Sequence, residues 1–112
     1  SLVGSEMCIR DRICIDTGHA NMVGLNVPDM IRQVGSHLKA THINDNYGIK
    51  DEHFSPFNGT IPWKEVVQAL RDIDYQECFA FETHHLTSMY PKEVQPYLVD
   101  FSYALGEYLL KL

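Results

Sequence analysis

The chain has 112 residues, which is enough for one small domain. Its formal net charge is -6 at pH 7, whereas non-specific binding of nucleic acid needs a basic face, so this class of function is disfavoured. No apolar run approaches the roughly 20 residues that span a bilayer. We therefore expect neither a nucleic-acid nor a membrane partner, while a small anionic substrate held by a local basic or metal site stays compatible with the composition.

The three cysteines, Cys8, Cys14 and Cys78, are scattered and form no CxxC pair. This pattern favours reduced thiols and a cytoplasmic protein, with Cys14 and Cys78 as small buried residues in strands.

Residues 1–12 (SLVGSEMCIRDR) show neither strand nor helix periodicity. They resemble translated adapter read-through at the end of a metagenomic assembly fragment, and such a segment is excluded from reasoning about the fold. The alternative is a genuine N-terminal loop. On the first interpretation, the evolved sequence begins at residue 13 as the C-terminal piece of a longer protein.

Residues 13–16 form a short apolar run that ends in an acid, which predicts a buried strand. A long turn with Gly18 and Gly24 follows. A helix is then predicted to begin near Pro28, because proline suits the first helical turn. Its predicted inward stripe comprises Met30, Ile31, Val34 and Leu38.

A second strand is predicted at residues 39–43, and a long polar loop occupies residues 44–61. A loop of this length inside a compact domain is usually functional.

A second helix is predicted from Pro62, and a third strand at residues 78–81. The remainder is predicted to be helical, with Pro91 and Pro96 as starts. The inward residues are Trp63, Val66, Val67 and Leu70 in the second helix, and Val94, Leu98, Phe101, Leu105 and Leu109 in the last segment.

The order β-α-β-α-β-α predicts an α/β fold with parallel strands and right-handed crossovers. An eight-stranded (β/α)8 barrel needs roughly 250 residues, whereas this chain supplies about three βα units. We therefore predict part of a TIM barrel in preference to a complete small α/β sandwich.

Polar side chains stand where the three predicted strands end: Asp16, His42 and Glu82. The carboxyl ends of parallel strands meet at one edge of the sheet, where α/β folds place their active sites. Two carboxylates and an imidazole suit a divalent cation such as Mn, Co, Zn or Mg. The alternatives are a turn-capping Asp16, a hydrogen-bonded core His42 and a solvated Glu82.

Other polar residues lie near these strand ends. His19 follows Asp16 at D-x-x-H spacing and is either a site residue or a surface one. Asp51 and His53, in the long loop, could ligate a second metal, contact substrate or be solvated charges. Of the two histidines after Glu82, His84 is the better site candidate, because alternation along a strand places it on the same side as Glu82.

Several motifs together resemble the xylose-isomerase-like barrel superfamily, which holds sugar phosphate isomerases/epimerases and endonuclease IV. They are Asp16-Thr17-Gly18-His19, His42-Ile43-Asn44-Asp45, Lys50-Asp51-Glu52-His53, Pro56 and Gly59 before Ile61-Pro62-Trp63, and Phe81-Glu82. The resemblance implies that residues 13–112 carry the sixth, seventh and eighth barrel strands. One departure is Phe57-Asn58-Gly59, which replaces the usual Gly-Glu-Gly.

For the isomerase and epimerase members, the resemblance implies a divalent cation held by Asp16, His42, Glu82 and a further glutamate on the fifth strand, which this chain lacks. It implies that Glu82 is also one of two catalytic acid/base groups, which move a proton next to a carbonyl through an enediolate. His19 would contact a sugar or sugar phosphate, with Asp51 and His53 as further contacts. A homo-oligomeric parent enzyme is compatible with this reading.

Two alternatives stay open at this point. In the endonuclease members, the positions of Asp16, His19, His42, Asp51, His53 and Glu82 bind three zinc ions, which implies a nuclease acting at abasic DNA sites. The other alternative is that the 112-residue chain by itself is an inactive barrel fragment that misassembles, since its sheet edges lack partners.

Overall fold

The computed structural model describes residues 5–9, 12–83 and 88–112. Within these residues one sheet has the order β1 (Ser5–Ile9), β2 (Arg12–Asp16), β3 (Leu38–Ile43) and β4 (Phe79–Phe81). Strands β2, β3 and β4 are parallel, as predicted for an α/β fold. Their register places the strand ends side by side, because Asp16 pairs with His42 and His42 pairs with Ala80.

Strand β1 was not predicted. It pairs antiparallel with β2, so the expectation that residues 1–12 lack regular structure is wrong at Ser5–Ile9, and the sheet is not wholly parallel. The outer edge of β2 would otherwise present unpaired N–H and C=O groups, and β1 satisfies them. The adapter origin of this segment stays a prediction, because secondary structure does not test it.

Both expectations about the cysteines need correction. Cys14 is buried as predicted but is disulfide-bonded rather than reduced. Cys78 is a free thiol as predicted, but it is exposed and directly precedes β4 instead of lying in it. Among the described residues, no helix is both long enough and apolar enough to cross a bilayer.

Two helices connect β2 to β3. The predicted turn contains a short helix, α1 (Thr17–Met22), whose N-terminus is capped by the Asp16 carboxylate. Helix α2 (Val27–Val34) begins beside Pro28 as predicted, with Asn26 as its cap. Gly35, with φ of +56°, ends α2 and leads into a single 3-10 turn. Leu38 is buried as expected, but as the first residue of β3.

Helix α3 (Trp63–Asp72) packs beside α2, and the four inward residues predicted for it are buried. Helix α4 (Gln95–Leu110) differs from its prediction, since Leu109 alone of the five expected inward residues is fully buried. Its described polar contacts with α3 lie at the C-terminal end, where the Arg71 guanidinium donates to the carbonyls of Leu110 and Leu112. The earlier part of α4 is therefore more open, and Phe101 is 51% exposed.

Candidate metal centre

The three strand-end residues meet at one edge of the sheet. Asp16 ends β2, and His42 lies beside it in β3. Glu82 directly follows β4 and extends the ladder, because its backbone N–H donates to the carbonyl of Ile43 at 2.9 Å. One ligand atom from each of Asp16, His42 and Glu82 lies within 4.8 Å of the others.

The donor set suits a divalent cation. Ligands at about 2.0–2.2 Å from a metal stand up to roughly 4 Å apart across it, close to the spacing seen here. His42 Nδ1 lies 3.4 Å from Glu82 Oε2, and both side chains are about one-third exposed, at 35% and 34%. Two carboxylates brought so close repel each other, which a bound cation would offset.

The carboxylate of Asp16 is held through one of its two oxygens. Its Oδ1 accepts from the backbone N–H of His19 at 2.9 Å and from Asn44 Nδ2 at 3.0 Å. Both described hydrogen bonds go to this atom, which leaves Oδ2 for a ligand. The turn-capping alternative for Asp16 is confirmed, because its side chain caps α1. The same side chain also offers an oxygen to the cluster, and its role as a metal ligand stays a prediction.

His19 lies at the rim of the site. Its backbone forms the cap with Asp16, while its side chain is exposed on α1. The cluster found among the described residues does not include it. Its predicted contact with substrate stays a prediction.

Asp51 and His53 lie beside the cluster and outside it. His53 Nδ1 is 3.1 Å from the carbonyl of Glu82, and Nε2 is 3.1 Å from Asp51 Oδ2. Both neighbours are acceptors, so each ring nitrogen has a hydrogen-bond partner when the imidazole is protonated. Burial lowers the pKa of His53, but the Glu82 carbonyl and the nearby carboxylates of Asp51 and Asp16 outweigh it, so the pKa is raised above 6.5. His84, the remaining candidate, lies outside the described residues.

Sequence reasoning undervalued Asp45, which organises the long loop. Its side chain is fully buried, and its two oxygens accept from four backbone N–H groups and one indole N–H. The donors are Asn46 and Ile61 to Oδ1 and Phe57, Gly59 and Trp63 to Oδ2. A buried carboxylate is stable only with such partners. The run Asn44-Asp45-Asn46 directly after a buried strand was the available signal.

At residues 57–59 the sequence differs from the Gly-Glu-Gly of the family it resembles, and the structure explains this difference. Phe57 has φ of +79°, a conformation that glycine adopts readily, so the loop keeps a glycine-type backbone where the resembling family has glycine. Gly59 is required for another reason, since a Cβ there would lie 2.1 Å from the carbonyl oxygen of Asn46. The backbone path around Asp45 therefore tolerates the change at 57 better than one at 59.

Comparison with known proteins gives consistent matches. Residues 10–101 match the family model described as "Xylose isomerase-like TIM barrel". A D-psicose 3-epimerase of Enterocloster bolteae is 37% identical over 71 residues, covering 63% of this chain and 22% of that protein. The uncharacterized protein y4fM of Sinorhizobium fredii is 35% identical over 71 residues, covering 63% and 23%.

A solved structure shows the same fold. It is described as a D-tagatose 3-epimerase-like protein, and it superposes with a TM-score of 0.64 at 21% identity, over 89% of this chain and 36% of that one. The uncharacterized protein MJ1311 of Methanocaldococcus jannaschii is 30% identical over 76 residues, covering 66% of this chain and 26% of that protein. The chain thus spans about a quarter of the length of the curated relatives it matches.

Proposed function

Because the chain belongs to the xylose isomerase-like TIM barrel family, we propose that it is part of a divalent-metal-dependent isomerase or epimerase of sugars or sugar phosphates. The observation that supports this most directly is the convergence of Asp16, His42 and Glu82 at the carboxyl edge of the parallel strands. A relative named for epimerisation of D-psicose is 37% identical over the matching 71 residues. Fold alone does not choose a reaction, so the proposal depends on the site.

We assign the cation ligands to Asp16, His42 and Glu82. The mixture of carboxylate and imidazole donors suits Mn, Co, Mg or Zn, and three ligands leave positions open for a substrate or a fourth side chain. A bound cation would supply Lewis-acid stabilisation of negative charge on neighbouring substrate oxygens. The chain's own part is to hold the three donors on adjacent strand ends.

Glu82 is the proposed catalytic residue. Its carboxylate is half-buried beside His42 and can take a proton from the carbon next to a substrate carbonyl. The C–H electron pair then forms a C=C bond, the carbonyl π pair moves to the oxygen, and an enediolate results. Return of a proton, from the opposite face for epimerisation, requires a second acid/base group, which the family resemblance places on the fifth barrel strand.

His19, Asp51 and His53 are proposed to act on the substrate side. The exposed imidazole of His19 is free to contact a hydroxyl group at the rim. His53 bridges Asp51 and the Glu82 backbone, so in this arrangement it steadies the segment that carries Glu82. The net charge of -6 favours a single-cation enzyme acting on a small molecule over a three-zinc nuclease acting on DNA.

The experiment is a comparison of Glu82→Gln with the parent, in the full-length gene product that carries this chain, at saturating Mn²⁺. We expect turnover of a ketose substrate to fall by at least about 100-fold, because the amide cannot accept the proton. Glu77→Gln is the matched control, an identical change at an exposed position before β4. Near-parental turnover of the metal-loaded Glu82→Gln protein would contradict the assigned role.

A further inference from the structure

We propose that Asn44 is a positioning residue that fixes which carboxylate oxygen of Asp16 faces the cation. This inference rests on the proposed function above and adds a residue to it. Asn44 directly follows β3 and is fully buried between the ends of β2 and β3. Its amide Nδ2 donates to Asp16 Oδ1 at 3.0 Å and lies 3.5 Å from the carbonyl oxygen of His42. One amide group thus connects the two strands that carry two of the three ligands.

The orientation of this amide follows from its surroundings. If the amide were reversed, its oxygen would face the Asp16 carboxylate, an arrangement of two acceptors that is repulsive. In the observed orientation Asn44 Oδ1 is buried and has no hydrogen-bond partner in the described structure. It lies against Gly18, where an added Cβ would come within 1.7 Å of it. The hydrogen bond from Asn44 Nδ2 to Asp16 is therefore kept although it leaves the Asn44 side-chain oxygen without a hydrogen bond.

The backbone of Asn44 is fixed independently of its side chain. Thr17 Oγ1 donates to the Asn44 carbonyl at 2.7 Å and accepts from the Asn44 N–H at 3.1 Å. Thr17 is itself fully buried at the start of α1. The amide consequently approaches Asp16 from a rigid base. Since Nδ2 and the His19 N–H both bind Oδ1, Oδ2 is the carboxylate oxygen left for a cation shared with His42 and Glu82.

The test compares Asn44→Leu, which removes the donor at similar volume, with Thr17→Val, which removes the two hydrogen bonds to the Asn44 backbone. Mn²⁺ affinity is measured by calorimetry on the 112-residue chain. Loss of a hydrogen bond to a metal-binding carboxylate weakens affinity by about 10- to 100-fold, which we expect for Asn44→Leu. Thr17→Val is expected to lower the unfolding temperature and to weaken affinity by less than Asn44→Leu does, because the Asn44 backbone loses its support while the donor to Asp16 remains.

A double-mutant cycle distinguishes positioning from a general structural role. In an Asp16→Ala background, Asn44→Leu is expected to cause no further loss of Mn²⁺ affinity. An equal loss with and without Asp16 would overturn the proposal, and so would parental affinity in the single Asn44→Leu variant.

A metal-free readout separates this proposal from the proposed function. Side-chain scalar couplings of Asp16 in the apo chain should report a single χ1 rotamer in the parent and in Thr17→Val, and averaged rotamers in Asn44→Leu. An unchanged Asp16 rotamer in Asn44→Leu overturns the positioning role whatever the metal result. If Asp16→Ala binds Mn²⁺ as the parent does, the metal assignment fails, while the coupling data still decide the role of Asn44.

Discussion

At the scale of single residues, the positions of Asp16, His42 and Glu82 follow from one regularity. Parallel strands end at a common edge, so polar residues that end successive apolar runs come together. The roles of Asn44 and Asp45 do not follow from the local sequence in this way. The donors to Asp45 lie up to 18 residues along the chain, and their approach depends on the path of the whole loop. A sequence read in short windows cannot supply that path.

The structure predicts that Asp45→Asn is strongly destabilising. The carboxylate accepts five N–H donors, and an amide must turn its NH₂ towards one group of them. Each buried donor left unsatisfied costs about 1–3 kcal/mol, so we expect the free energy of unfolding to fall by at least about 3 kcal/mol. Urea denaturation followed by Trp63 fluorescence measures this.

Asp29→Asn is the control for Asp45→Asn, since this substitution removes the same negative charge at an exposed position in α2. It should change stability little. Equal denaturation midpoints for Asp45→Asn and the parent would show that the carboxylate does not hold the loop.

At the scale of elements, strong periodicity predicted α2 and α3 well, while the short elements α1 and β1 were missed and the burial of α4 was overestimated. Helix α1 has six residues and depends on a single capping carboxylate, so no apolar period marks it. Strand β1 depends on the open edge of β2 rather than on a pattern of its own. An apolar stripe is buried only where another element packs against it, and of the inward residues predicted for α4 only Leu109 is fully buried.

Helices α2 and α3 are joined by a pH-dependent ion pair. Arg32 lies 3.1 Å from Asp72 Oδ2, and Gln68 donates to Asp72 Oδ1 at 2.9 Å. The hydrogen bond from Gln68, then that from Arg32, hold the pKa of Asp72 below its ordinary 3.8. A depressed carboxyl pKa contributes stability above the unfolded-state value and loses it as pH falls through the folded-state value. The contribution is therefore present at neutral pH and absent in strong acid.

We predict that Arg32→Met lowers the unfolding temperature by about 1–4 °C at neutral pH, a range typical of exposed ion pairs. The difference should shrink towards zero in strong acid, where Asp72 is protonated in both proteins. Lys64→Met, at an exposed position on α3, controls for the loss of one positive charge. A pH-independent difference in the melting curves would show that Arg32 stabilises through packing instead.

At the scale of the whole molecule, the chain exposes apolar side chains on α4. Tyr97 and Tyr103 are each 73% exposed, Val99 is 59% exposed and Phe101 is 51% exposed. Soluble monomers rarely present large contiguous apolar patches. In the superposition with the solved structure, this chain covers 36% of the other chain.

We therefore expect the 112-residue chain by itself to self-associate, with its average mass in light scattering rising with concentration. The double variant Val99→Lys with Tyr103→Lys should shift the chain towards monomer, because lysine opposes burial of this face. Ile49→Lys is the control, since Ile49 is an exposed apolar residue in the long loop. A parent chain that stays monomeric across a dilution series would contradict the prediction.

The central claim is that Asp16, His42 and Glu82 bind one divalent cation. Calorimetric titration with Mn²⁺ tests this claim most directly. The parent chain is compared with three variants, Asp16→Ala, His42→Ala and Glu82→Gln. We predict one cation per chain in the parent and at least about tenfold weaker binding in each variant, because each removes one of three donors. Binding of Mn²⁺ that is unchanged by all three substitutions, or absent in the parent, would contradict the account.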